Sequence, residues 1–205
     1  MSEHLEIEQK FDVDDGFLRP GGRALEEALR GERGERISAG EPVLHRLSAT
    51  YFDTADGRLM SRKITLRRRT GGTDAGWHLK LPAGQDSRRE LREPLGDRPG
   101  EVPERLAAAA AGVTGGLPLA PIAVLETERT VVTLTAHDGR VLAEIADDVV
   151  TARRLPAGQQ LRWREVEVEV PTASPELQRA AADLLLAAGA RPAGHGSKLA
   201  RLLNR

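Results

Sequence analysis

Glu165-Val166-Glu167-Val168-Glu169-Val170 alternates acid and valine at every step. An extended chain turns successive side chains to opposite faces, so the run reads as a strand with Glu on one face and Val on the other. A single charged strand face is ordinarily one that water covers. Three like charges in a row are different, because they repel and folding alone gives no reason to keep them.

The pattern recurs along the chain. Arg140 to Ala152 sets Glu144 and Asp148 against Val141, Ala143 and Ile145, with Asp147 on the apolar side. Ala123 to Thr135 aligns Arg129 with Thr127 and Thr133, and His137-Asp138-Gly139 turns it into the next strand. Ile64 to Thr70 and Trp77 to Leu81 read as a hairpin about the turn Gly71 to Gly76. There Thr65, Arg67 and Arg69 share a face, Arg68 falls on the other and is expected in solvent, and His78 and Lys80 oppose Trp77, Leu79 and Leu81. Val43 to Asp53 and Arg88 to Leu95 also read as extended. At the N-terminus Glu6, Glu8 and Lys10 oppose Leu5, Ile7 and Phe11. Helices are expected over Gly21 to Arg36, over Ala55 to Arg62 behind a Thr54 cap, after Pro103, from Ser174 to Ala188, and from Ser197 to Leu203. About eight strands with helices in the loops predict an α+β fold, an antiparallel sheet closed into a β-barrel with peripheral helices. No linker divides the chain, so residues 1–205 are expected to form one domain.

Charge inside a barrel carries a desolvation cost of several kcal/mol per ion. A hard divalent cation such as Mg²⁺ or Mn²⁺ offsets it by taking carboxylate oxygens. Glu165 and Glu167, like Glu6 and Glu8, stand two residues apart on one face, about 6.5–7 Å along a strand, close enough to share an ion. Lys10, Arg67, Arg69, Lys80 and Arg129 supply the ammonium and guanidinium groups that bind phosphate oxygens. Acid for a metal and base for an anion point to a metal–polyphosphate site. On this basis, deleting one Glu should relieve repulsion in the metal-free protein, and deleting one Arg should leave the acids less compensated.

Composition narrows the field. Lys and Arg number 30 against 31 Asp and Glu, a net charge of −1, so no basic excess suggests a nucleic-acid or membrane partner. The absence of cysteine removes disulfides and zinc–thiolate sites. There is no signal-like apolar core at the start, so a soluble, cytoplasmic chain, monomer or homodimer, is expected. Trp77 and Trp163 are expected in packing, Tyr51-Phe52-Asp53-Thr54 in architecture, and His195 at a mobile surface.

Glu6-Ile7-Glu8-Gln9-Lys10 resembles the ExExK signature of the CYTH superfamily, the triphosphate tunnel metalloenzymes. The resemblance extends, in the family's order, through Tyr51-Phe52-Asp53-Thr54, Thr65-Leu66-Arg67-Arg68-Arg69, Trp77-His78-Leu79-Lys80-Leu81-Pro82, Thr127-Glu128-Arg129, Glu165 to Glu169 and Ser197-Lys198-Leu199-Ala200-Arg201. It implies an antiparallel tunnel of eight strands holding Mg²⁺ or Mn²⁺ and gripping a triphosphate. Carried over by motif, Glu6, Glu8, Glu165 and Glu167 are metal-side carboxylates. Lys10, Arg67, Arg69, Lys80, Arg129 and Lys198 are substrate-side cations, with Lys10, Lys80 and Arg67 the catalytic ones. Either Asp147 or Asp148 matches the family's Asp, and strand parity favours Asp148; Glu90 is a weaker acidic candidate. The expected reaction is hydrolysis of a triphosphate, with inorganic triphosphate the leading substrate. An adenylate cyclase, a thiamine triphosphatase and a non-catalytic polyphosphate-binding module are the rivals. With so few aromatic side chains, no stacking platform for a base is evident.

Overall fold

β-Branched and alternating stretches become strands of one sheet in the computed structural model, which describes residues 2–30, 36–84, 87–158, 160–170 and 174–204, with backbone alone for 2–7. In chain order the elements are β1 (Ser2–Val13), α1 (Gly22–Leu29), β2 (Ile37–Ala39), β3 (Val43–Asp53), α2 (Arg58–Ser61), β4 (Thr65–Thr70), β5 (Gly76–Pro82) and β6 (Ser87–Glu93). They continue with α3 (Glu104–Thr114), β7 (Ala120–Ala136), β8 (Val141–Arg154), β9 (Gln160–Glu169), α4 (Pro175–Ala187), β10 (Arg191–Pro192) and α5 (Lys198–Leu203). The sheet has ten strands in the order β10-β1-β6-β5-β4-β3-β7-β8-β9, with β2 added to β7. All its pairings are antiparallel. The first half of β1 pairs with β6 and its second half with β9.

Two strands beyond the expected eight, β2 and β10, are short additions of three and two residues. Neither is long enough to show an alternation in sequence. They exist because β7 overhangs β3 and because β1 leaves backbone groups open beyond β6, which pairs only with Ser2–Ile7.

Much of the outward face is apolar and covered by helices, though Arg68 and the Asp147–Arg164 pair also lie on it. Phe11, Val132, Leu134, Ile145, Val166 and Val168 pack against Leu25 and Leu29 of α1 and Ala181 and Leu185 of α4. Phe52, Leu66, Trp77, Leu79 and Leu91 pack under Leu59 of α2 and Leu106 and Ala110 of α3. The inward face is different. At one end Ala49, Tyr51, Leu125, Val150 and Trp163 take in Leu199 and Leu202 of α5; the rest of it is charged.

Asp53 and Thr54 act together behind α2. The Asp53 carboxylate accepts the backbone N–H groups of Thr54, Leu59 and Met60 at 2.7, 2.9 and 3.0 Å, and Thr54 Oγ1 accepts that of Arg58 at 3.0 Å. The β4–β5 turn needs glycine. Gly71 has φ +79°, and a Cβ there would stand 2.0 Å from the Arg46 carbonyl oxygen. Arg68, expected in solvent, is half-buried on the outward face. Among the described residues no helix is long and apolar enough to cross a membrane.

Candidate active site

Strand alternation delivers one charged side chain every second residue to the inward face, and antiparallel pairing brings the rows together. The cavity is lined by Glu8 and Lys10 of β1, Tyr51 of β3, Thr65, Arg67 and Arg69 of β4, and Lys80 of β5. Glu90 and Arg92 of β6, Thr127 and Arg129 of β7, Glu167 and Glu169 of β9, and Lys198 of α5 line it too, with Asp74, Arg88, Ser197 and a few apolar side chains. The side chain of Glu6 lies outside the described residues.

One wall is acidic. Asp148, Glu165 and Glu167 bring carboxylate oxygens within 4.8 Å of one another, and Asp148 and Glu165 are wholly buried. β8 pairs Asp148 directly with Glu165. Asp147 faces the other way, where the Arg164 fork binds it at 2.9 and 2.7 Å. The same guanidinium reaches the Asp15 and Phe17 carbonyls. Of the two aspartates, then, Asp148 stands in the acidic wall. Glu144, its companion by parity, is half-buried and receives a long contact from Thr133 Oγ1 at 3.4 Å.

Repulsion among these acids is relieved from within the chain. The Lys198 ammonium stands 2.6 Å from Glu167, 2.8 Å from Glu165 and 2.9 Å from Asp148. Arg129 forks onto Asp148 at 2.8 and 2.6 Å and also donates to Glu167. Lys10 contacts Glu167 and, at 2.9 Å, Glu8. Burial opposes ionisation of Asp148 and Glu167, but these cations outweigh it and hold both carboxyls below their ordinary value. Burial likewise opposes the charge on Glu8, and Lys10 and Lys80 overcome it, holding the carboxyl at about 2. Lys10 and Lys198 are raised in turn, against burial, by the same acids. Three of the six expected substrate-side cations thus sit on the acids.

The other wall is crowded with positive charge. Burial, then Arg67 and Arg129, pull Arg69 down to about 9, and its Nε–H is buried without a hydrogen-bond acceptor among the described residues. Asp74, from the β4–β5 turn, pairs with Arg69. Arg67 Nη1 donates to the Tyr51 hydroxyl at 3.4 Å. The Tyr51 phenol is lowered despite burial by Arg67, Lys198 and Lys80. Glu90 is not part of the acidic wall. It lies 3.8 Å from Lys80, accepts from Arg92 Nε at 2.5 Å and meets His78 Nδ1 at 2.8 Å. His78 Nε2 faces the Asp74 carbonyl oxygen at 2.9 Å, so both ring contacts call for a proton. Burial, Arg67 and Arg69 work against that charge and Glu90 for it, and the balance falls at about 4.

Some residues do more at the site than their sequence context suggests. Tyr51 packs in the inward apolar cluster as expected, and its phenol also lines the cavity; its odd-numbered parity with Ala49 and against Phe52 is the signal for it. His195 is not at a mobile surface: its side chain is 9% exposed, with Nε2 at 3.4 Å from Asp12 and 3.9 Å from Glu165. Arg201 joins it, pairing with Asp12 and lying 5.1 Å over the Trp163 ring. Trp163 packs as expected, but its indole N–H also donates to Glu165 at 2.6 Å.

Metal-free stability should fall toward acid from about pH 6.5 and toward alkali above 10.5. His78, held at about 4 by burial against an ordinary 6.5, contributes stability that is present above 6.5 and lost as pH falls toward 4. Glu8, held at about 2 against an ordinary 4.5, contributes stability that is present above 4.5 and lost as pH falls toward 2. Lys10, raised above an ordinary 10.5, contributes stability that is present below 10.5 and lost as pH rises through its folded value. Melting temperature against pH without metal checks this. Stability unchanged between pH 6.5 and 4.5 would show, by contrast, that His78 is not held neutral in the fold.

Residues 4–202 match the family model of the CYTH domain. An uncharacterised protein of Mycobacterium tuberculosis is 42% identical over 216 aligned positions, covering 98% of this chain and 40% of that protein. The chain therefore spans two fifths of the length of the curated relatives it matches. A candidate adenylate cyclase from Bacillus halodurans has the same fold, with TM-score 0.63, 18% identity and 98% of both chains covered. A candidate adenylyl cyclase from Hippeastrum with a dominant triphosphatase activity follows at TM-score 0.54 and 18% identity, over 97% of this chain and 95% of that one.

Proposed function

Since the chain belongs to the CYTH domain family, we propose that it is a divalent-metal-dependent triphosphatase, with inorganic triphosphate its leading substrate. The observation that carries this is the division of the cavity. Acids already satisfied by internal cations form one wall, and a guanidinium-rich wall with a depressed Arg69 and an orphaned Nε–H forms the other. Crowded cations that lower one another's affinity for protons gain most from a polyanion. Pairing of β1 to both β6 and β9 supports a closed, eight-strand tunnel with β2 and β10 outside it, and we treat residues 1–205 as one such domain.

The acidic wall fits a hard divalent ion: its donors are all carboxylate oxygens, and a cation, the Lys198 ammonium, already stands among three of them. Glu8, Asp148, Glu165 and Glu167, with Glu6, would hold Mg²⁺ or Mn²⁺, which when bound neutralises phosphate oxygens and favours ionisation of water. Arg67, Arg69 and Lys80 would grip the polyphosphate from the opposite wall. Water adds to the terminal phosphorus, the bridging P–O bond breaks, and diphosphate leaves. Lys10, Lys80 and Arg67 stabilise the charge that grows on that leaving group. Arg129 and Lys198 add positive charge where acid and phosphate meet.

A panel of inorganic triphosphate, ATP, thiamine triphosphate, long polyphosphate and pyrophosphate, with Mg²⁺ and then Mn²⁺, tests the assignment. Phosphate release should be greatest with inorganic triphosphate and vanish on chelation. Cyclic AMP as the main product from ATP would instead make the chain a cyclase. Tight binding of triphosphate with no turnover under either metal would make it a binding module.

A further inference from the structure

Three cations neutralise the acidic wall, but they do so in different ways. Arg129 is a fork on Asp148 that also reaches Glu167, and Lys10 spans Glu167 and Glu8. Lys198 alone, among the described residues, touches all three of Asp148, Glu165 and Glu167. Its ammonium hydrogen-bonds Glu167, while Glu165 Oε1, 2.8 Å away, has no hydrogen bond among the described residues. A single positive centre stands among three buried carboxylates whose oxygens lie within 4.8 Å of one another, a set able to hold a divalent ion.

We propose that Lys198 is the resident counter-cation of the metal position, so that its ammonium and a divalent ion compete for the same carboxylates and Lys198 sets the metal affinity. The proposal rests on the metal-dependent reading above. The backbone around Lys198 does not depend on this contact. Leu199 and Leu202 are each 1% exposed in the inward apolar cluster. Arg154 donates to the Leu202 and Leu203 carbonyls at 3.0 and 2.6 Å, and Ser197 Oγ accepts the Ala200 N–H at 3.1 Å. The helix therefore holds while the four-carbon stem rotates, which a lysine does readily. Displaced, the ammonium faces the cavity that Ser197 and Lys198 already line and joins the cations available to a polyphosphate. Metal and polyanion then bind with positive coupling, each favouring the same Lys198 position, and the coupling is reciprocal.

Mn²⁺ binding without any phosphate, followed by the paramagnetic resonance of free Mn²⁺, tests this on the full chain. Lys198→Met should bind Mn²⁺ about 10- to 100-fold more tightly than wild type, the factor lost when a competent state is populated about 1–10% of the time. Glu167→Gln added to Lys198→Met should abolish the gain. Imidotriphosphate should tighten Mn²⁺ binding less in Lys198→Met than in wild type. A readout on the wild type covers the case in which Lys198→Met folds poorly. The Lys198 ¹⁵Nζ resonance, shielded by three carboxylates, should shift and exchange faster with solvent when diamagnetic Mg²⁺ saturates the site. Equal or weaker Mn²⁺ affinity in folded Lys198→Met, or an unmoved Lys198 resonance at saturating Mg²⁺, overturns the proposal and leaves triphosphate hydrolysis standing. Tighter Mn²⁺ binding in Lys198→Met, with no hydrolysis of any triphosphate by the wild type, supports the Lys198 role while sinking the proposed reaction.

Discussion

Glu167→Gln should lose triphosphate hydrolysis by about 100-fold or more, since even outer partners of metal ligands cost about 10- to 100-fold, and excess metal should restore part of it. Arg67→Met should lose an amount equivalent to about 2–5 kcal/mol, the typical value of a desolvated charge-assisted contact, and excess metal should not recover it. Rate against metal concentration for the two variants separates the walls. Melting of the metal-free proteins gives a second check, and here the structure reverses the expectation drawn from repulsion. Glu167 is gripped by Lys10, Arg129 and Lys198. Removing its charge leaves those cations undercompensated, which for a buried pair costs about 3–5 kcal/mol. Arg67, by contrast, depresses Arg69, so Arg67→Met relieves a like charge. Metal-free Glu167→Gln should melt below wild type, and metal-free Arg67→Met near or above it. Identical behaviour of the two in both assays would mean that the walls are not functionally distinct.

Asp148→Asn should reduce turnover by about 100-fold or more, the scale on which groups that stabilise or orient a reacting centre act, while Asp147→Asn should leave the rate nearly unchanged. Asp148 is wholly buried against Arg129, Lys198 and Glu165. Asp147 faces outward to Arg164, which ties the Asp15–Phe17 segment to the sheet through two carbonyls. Asp147→Asn should therefore lower the melting temperature instead. Steady-state kinetics and melting curves on both folded variants decide it. A larger rate loss in Asp147→Asn would mean that the acidic wall is not where triphosphate is hydrolysed.

Much of the architecture was present in local pattern. Period-two alternation marked the long strands and their inward faces, because side-chain direction on a strand follows parity regardless of the partner strand. Parity also separated Asp148 from Asp147. Cap chemistry marked two helix starts, Ser197, whose hydroxyl caps α5, and Thr54, which accepts the Arg58 N–H, whereas Ser174 makes no side-chain cap on α4 among the described residues. Family motifs then supplied expected roles for positions that alternation alone could only sort by face.

What parity cannot supply is distance across the sheet. Lys198 lies 31 residues from Glu167, and Lys10 157 residues from it, yet both end on the same carboxylate. Three of the cations expected against phosphate therefore stand on acids in this structure. His78 and Glu90, twelve residues apart, meet only because β5 and β6 pair, and Tyr51 enters the cavity only because β3 lies beside β4. Face and charge were determined by the sequence itself, since each strand sets them locally. Which charge neutralises which was decided by tertiary structure alone, because Coulomb energy in a buried cavity depends on separations that only strand pairing and the docking of α5 bring about.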